Sequence, residues 1–117
     1  MRYMIKENDL ISLYKKYDLS YEARIVTGHL AFYINTFEGD EKAVLLEEII
    51  KDEEGYKTVL DKCIAYYKIH YSTSKTVLDA LLHDNYMSVL EGYRFMEFDS
   101  VAGVCKCLSE YFKNINI

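Results

Sequence analysis

Arg24 and His29 are the two residues whose types and spacing could support a reaction. They lie on a segment of helical periodicity and are separated by four residues, Ile25 to Gly28. An imidazole can move a proton near neutral pH, and a guanidinium can hold a scissile phosphate. The pair is therefore a candidate for proton transfer at a bound phosphate. The competing interpretation is an exposed Arg24 beside a His29 that caps or packs.

An Arg and a His at this kind of spacing, one turn apart on one helix face, resemble the motif of the all-helical HEPN ribonucleases. The resemblance covers these two residues and the helical character of the chain. Ile25 stands where the family's motif usually carries a polar residue. The resemblance implies a small ribonuclease in which Arg24 and His29 are catalytic.

Residues for other kinds of chemistry are not arranged in recognisable motifs. The sequence has no Gly-rich phosphate loop, no nucleophile elbow and no zinc-binding helix motif. The histidines fall on separate predicted elements without ligand spacing: His29, His70 and His83. The cysteines are odd in number and irregularly spaced, which predicts packed thiols: Cys63, Cys105 and Cys107. We therefore predict no bound metal and no cofactor.

Negative charge is concentrated in residues 38–54. This segment holds eight acids against Lys42 and Lys51, a net charge of −6, whereas the whole chain carries −5. Helical spacing predicts that the apolar residues of the segment face inward: Leu45, Leu46, Ile49 and Ile50. The acids then cover the outer surface. Such a surface predicts either a docking site for a basic protein or a solvated face that confers solubility.

The energetic effect of the acids at 52–54 depends on where one helix ends and the next begins. At a helix C-terminus they would oppose the macrodipole, whereas in the first turn of a following helix they would be favourable. Gly55 is predicted to end the third helix as its C′ residue, and one long kinked helix is the alternative. Tyrosines on the following segment cannot all point inward, which favours an interface. The predicted partner-binding residues are Glu41, Glu47, Glu48, Asp52, Glu53, Glu54, Tyr66, Tyr67 and Tyr71.

The elements that must position these residues are nearly all helical. Ser20 is a candidate N-cap for the second helix and Asp40 for the third. A fifth helix is predicted to end at 83–85 and a shorter one to follow, and only 94–98 alternates like a strand. The sequence predicts an all-α fold, a compact bundle or orthogonal array of six to seven short helices in a single domain, 1–117. The predicted core comprises Leu46, Ile49, Leu60, Ile64, Leu78, Leu81, Val104 and Leu108.

Composition restricts the expected cellular compartment and the class of partner. The chain has 117 residues, twelve tyrosines and no proline or tryptophan. No segment approaches the roughly 18 consecutive apolar residues of a membrane span. Residues 1–8 lack the apolar core of a secretory signal, so a cytoplasmic setting is expected. The negative net charge and the lack of a basic stripe argue against direct nucleic-acid binding.

Together these patterns favour a non-enzymatic inhibitor or adaptor that binds a basic protein through an acidic, tyrosine-rich helical surface. One version is an immunity protein or antitoxin that neutralises a nuclease toxin. Another is a phage or viral factor that inhibits a host nucleic-acid-binding protein. The alternatives are the HEPN-like ribonuclease and a structural or homo-oligomeric subunit.

Overall fold

The computed structural model describes residues 7–70 and 77–114, with side chains for 8–69 and 82–114. Within these ranges the fold is all-α, as the sequence predicts. A 3₁₀ turn at Phe98–Val101 precedes the last helix. The helices are α1 (Glu7–Lys16), α2 (Tyr21–Asn35), α3 (Asp40–Lys51), α4 (Glu53–His70), α5 (Val77–Tyr93) and α6 (Ala102–Asn114).

The second helix, α2, lies at the centre and packs against α3, α4, α5 and α6. Its start is determined by Ser20, whose hydroxyl accepts a hydrogen bond from the Ala23 amide at 3.1 Å, as predicted. Two polar side chains are buried on α2, and both are hydrogen-bonded. The Thr27 hydroxyl donates to the Ala23 carbonyl at 2.7 Å, and Asn35 Oδ1 accepts from Lys42 Nζ at 2.9 Å. A helix buried on most sides can thus retain polar residues without unsatisfied groups.

The last helix, α6, is amphipathic and packs against α1, α2 and α3. Its attachment to α1 includes a polar contact, in which Glu110 Oε1 accepts from Lys16 Nζ at 2.7 Å and from the Tyr17 hydroxyl at 2.6 Å. These two hydrogen bonds hold the pKa of Glu110 below its ordinary value.

Most of the predicted core positions within the described side chains are buried. These are Ile49, Leu60, Ile64, Val104 and Leu108. Leu46 is only partly buried and packs against the edge of the core. The side chains of Leu78 and Leu81 lie outside the described residues.

The corner between α3 and α4 differs from the prediction. The break falls at Asp52, which has extended backbone angles, and Gly55 lies inside the first turn of α4. A Cβ at Gly55 would lie 2.1 Å from the Glu48 carbonyl oxygen, so the two backbones meet where only glycine fits. Gly55 is therefore required by a close approach of two helices and does not end the third helix.

Two other predicted boundaries were also wrong. Gly39, with a φ of 58°, is the N-cap of α3, and Asp40 is its first residue. Helix α5 continues through 83–85 to Tyr93 without the predicted interruption. Residues 94–97 form turns and Phe98 begins the 3₁₀ turn, so the stretch that alternates like a strand forms none, as expected for a short stretch without a partner strand.

Candidate functional site

The acidic segment folds into α3 and the first turn of α4, which together form one side of the domain. The acids at 41, 47, 52, 53 and 54 are exposed, and Glu48 is partly buried. Helix α3 packs against α2, α4 and α6 through a narrow apolar line whose buried members are Leu45 and Ile49. Most of the circumference of α3 therefore faces outward.

A row of four exposed residues winds obliquely around this outward side, each turned by about 60° from the next. Residues three apart on a helix are neighbours on its surface, and the series Glu41, Val44, Glu47 and Ile50 follows this spacing. Val44 is 59% exposed and Ile50 is 39% exposed. Acidic and apolar side chains thus alternate along this row, which we call the α3 row. The predicted inward orientation of Ile50 was wrong, because the apolar run on α3 is wider than the face that the core covers.

The acids at 52–54 have local structural roles. Asp52 Oδ1 accepts a hydrogen bond from the Gly55 amide at 2.8 Å and so caps α4. Glu53 lies in the first turn of α4 and faces Lys57 at 3.9 Å. Both positions are favourable for a carboxylate at a helix N-terminus. The interpretation in which these acids begin a helix is therefore the one that matches the structure.

The tyrosines assigned to partner binding have different environments. Tyr67 is buried in the core, and its hydroxyl donates to the His29 carbonyl at 3.5 Å. Tyr66 is half-buried between the rings of Tyr33 and Tyr67, at centroid distances of 5.5 and 5.3 Å. Tyr71 lies outside the described residues. Placing Tyr67 on a binding surface was wrong, because Tyr67 faces α2.

Arg24 and His29 contact different parts of the fold. The Arg24 Nε donates to the Leu19 carbonyl at 3.0 Å, and its guanidinium lies 5.8 Å from the centroid of the Tyr14 ring. His29 instead packs against the rings of Tyr67 and Tyr86. Five residues along a helix correspond to about 140° of rotation, so the two side chains diverge. The expectation that they share one face was wrong.

His29 belongs to a cluster that the sequence does not show. The imidazole lies edge-on to Tyr67 of α4 and Tyr86 of α5, with ring centroids at 4.7 and 5.2 Å. Its Nδ1 is 2.8 Å from the Ile25 carbonyl, so Nδ1 donates in the neutral ring. Burial lowers the pKa of His29, the Ile25 carbonyl partly opposes this shift, and nearby His83 adds to it.

His83 completes this cluster from α5. Its Nε2 donates to the Tyr67 carbonyl at 3.3 Å, and its Nδ1 lies 3.7 Å from Asp84 Oδ1. We call the group of His29, Tyr67, His83 and Tyr86 the histidine junction. Distant positions in sequence meet here because α2, α4 and α5 pack together. No spacing within one segment could have indicated this arrangement.

The cysteines are buried free thiols. Burial raises the pKa of Cys63, and it raises the pKa of Cys105 and that of Cys107 to about 11. Cys63 and Cys105 donate weakly to the carbonyls of His29 and Ile49, each at 3.7 Å. Protonated, enclosed thiols are poor nucleophiles. Among the described residues, no group of three potential ligands is arranged to hold a metal ion.

Comparison with protein-family models, curated proteins and solved structures found no match to this chain. In the described part of the chain, no helix has both the length and the apolar character needed to cross a bilayer. The α3 row and the histidine junction are therefore interpreted from their own geometry.

Proposed function

We propose that this protein is a non-enzymatic inhibitor or adaptor that binds a basic protein partner through the outer face of α3. The observation that carries the proposal is the alternation of exposed acidic and apolar side chains in the α3 row, where Val44 is 59% exposed and Ile50 is 39% exposed. Stable interfaces combine apolar contact at the centre with polar groups around it. The α3 row offers both on one rigid helix.

Charge determines the kind of partner. Residues 38–54 carry −6, and the remainder of the chain carries +1, since the total is −5. A local field of this sign attracts a positively charged surface and accelerates its association. Basic surfaces of the required kind occur on proteins that bind nucleic acid. Suitable partners are a nuclease toxin, for which this chain would act as an immunity protein or antitoxin, and a host nucleic-acid-binding protein inhibited by a phage or viral factor.

Two matched double variants test the acidic half of this surface. Glu41→Lys with Glu47→Lys reverses charge in the α3 row and changes the net charge from −5 to −1. Glu22→Lys with Glu97→Lys makes the same charge change elsewhere, and Glu22, like Glu41, lies in the first turn of its helix. Asp52 and Glu48 are left unchanged, because the Asp52 carboxylate caps α4 and Glu48 is partly buried.

The α3 variant is expected to weaken binding of the basic partner by more than tenfold, about 1.4 kcal/mol or more. Wild-type protein and both variants would be used as baits in the native host, and the affinity of each captured basic protein would then be measured. For the wild type, the association rate should fall as salt rises. Equal affinities for the two double variants would contradict the proposal, and self-association of the wild type would instead support a homo-oligomeric subunit.

A further inference from the structure

The histidine junction has the composition of an acid-sensitive contact. His29 of α2 is enclosed by groups from two helices: Tyr67 and Cys63 belong to α4, and His83 and Tyr86 belong to α5. Within the described residues, no carboxylate lies at ion-pair distance from the His29 ring. A proton added to this ring would therefore place a charge in a partly desolvated site that has no counter-ion.

The two histidines of the junction differ in the acceptor groups that surround their rings. The Nε2 of His83 donates to the Tyr67 carbonyl, and its Nδ1 lies 3.7 Å from the Asp84 carboxylate. Each ring nitrogen therefore has an acceptor nearby. Among the described side chains and backbone, the hydrogen-bond acceptor of the His29 ring is the Ile25 carbonyl, which Nδ1 already uses in the neutral ring. A charge on His83 also repels a charge on His29. A charge on His29 is therefore opposed by the burial of its ring and by a charge on His83.

We propose that the histidine junction is a pH-sensitive contact, in which protonation of His29 loosens α5 from α2 and α4. The His29 ring is partly buried, and Tyr67 and Tyr86 contact it from two helices, so a charged ring is more fully hydrated when these helices separate. The open form is thus the form that binds the proton. Helix α5 is expected to respond, because it contributes His83 and Tyr86 and packs on α2 and α4.

The direction of the pH dependence follows from the position of the proton. The folded pKa of His29 is lowered below its ordinary 6.5, so the open state binds a proton more readily than the closed state. The free energy that keeps the junction closed therefore has its full value above about pH 6.5. It decreases as the pH falls toward the lowered pKa of His29 in the closed state. In this window a single site can raise the open population by up to about tenfold per pH unit. The Glu110 contact on α1 responds only at lower pH, where carboxylates take up protons.

Two variants and two measurements test the proposal. His29→Phe keeps an aromatic ring between the tyrosines but cannot take up a proton. His83→Gln is the control, because an amide can still donate to the Tyr67 carbonyl. Hydrogen exchange of α5 amides, corrected for its intrinsic pH dependence, would be followed from about pH 7.5 to about pH 5, the range in which imidazoles titrate. NMR titration of the wild-type ring protons would report the His29 pKa directly.

We expect α5 opening to increase on acidification in the wild type and in His83→Gln, but not in His29→Phe. The NMR titration should give a His29 pKa below 6.5. The proposal is overturned if His29 titrates at or above 6.5, or if α5 opens equally with and without the His29 imidazole. It is also overturned if acid sensitivity disappears in His83→Gln and persists in His29→Phe. The titration requires only the wild-type protein, so the test stands even where a variant fails to fold.

Discussion

Helices α2 and α3 follow one another in the chain and have opposite relationships to the core. Eight of the 15 residues of α2 are buried, whereas only Leu45 and Ile49 are buried among the 12 residues of α3. Helix α2 packs against α3, α4, α5 and α6 and contributes His29 to the histidine junction. Helix α3 lies on the outside, attached along one narrow line. The first organises the fold, and the second is free to present side chains to another molecule.

This difference explains why α3 carries the charge. An acid at one of the eight buried positions of α2 would be desolvated or displace a packed neighbour, at a cost of several kcal/mol for an unpaired charge. Glu22, the acid that α2 carries, lies exposed in its first turn. On α3 the acids remain hydrated and do not disturb the core. The exposed Val44 and Ile50 are the exception, because the core does not require them there. Substitutions on the two helices should therefore separate effects on stability from effects on binding.

The largest loss of stability is expected on α2. Leu30 is fully buried, so Leu30→Ala should lower the free energy of unfolding by about 2–5 kcal/mol through lost burial and a residual cavity. Leu82→Ala on α5 removes the same atoms from a side chain that is 43% exposed. Chemical denaturation of both variants would measure the difference. Equal losses would mean that α2 does not have the central role assigned to it.

A second loss is expected at the corner that attaches α3 to α4. Gly55→Ala would place a Cβ against the Glu48 carbonyl oxygen, a backbone atom that cannot rotate away. We expect a loss of about 1–3 kcal/mol or more, since the corner must open to accept the methyl group. Gly92→Ala is the matched control, because a Cβ there meets nothing within 4 Å. It should be neutral or stabilise α5 by up to about 1 kcal/mol, and thermal unfolding of the two variants would show opposite shifts in Tm.

Gly55 also illustrates how far the sequence predicts this fold. A glycine between two apolar patterns indicates a break, but the same residue serves a C-terminal cap and a close backbone contact equally well. Local signals were sufficient for the Ser20 cap and for burial of Ile49 and Leu108, because each depends on nearby residues or on periodicity. Local signals were insufficient where the burial of a residue depends on how many helices pack around it.

The candidate sites depend more strongly on such neighbours. The acidity of α3 was visible in the sequence, whereas the exposure of Ile50 depends on how much of α3 the core covers. Tyr67 was assigned to a surface and is buried, because α2 packs against that side of α4. His29 and His83 are 54 positions apart in the chain. Only tertiary packing brings them into one junction.

The smallest effect on stability is expected in the α3 row itself. Val44→Ala combined with Ile50→Ala removes apolar atoms that are already largely in water, so the free energy of unfolding should change by no more than about 0.5 kcal/mol per site. Binding should respond differently, because these side chains would form the apolar centre of the interface. We expect partner affinity to fall by about tenfold, or about 1.4 kcal/mol.

Ile11→Ala provides the control for this last prediction, since Ile11 on α1 is 43% exposed, close to the 39% of Ile50. It should leave both stability and partner affinity nearly unchanged. Calorimetric titration with the partner and denaturation of each variant would place the two effects on one free-energy scale. If the α3 double variant binds as tightly as Ile11→Ala, Val44 and Ile50 are ordinary exposed residues. The acidic field alone would then account for any salt-dependent association, and the contact surface would lie outside the α3 row.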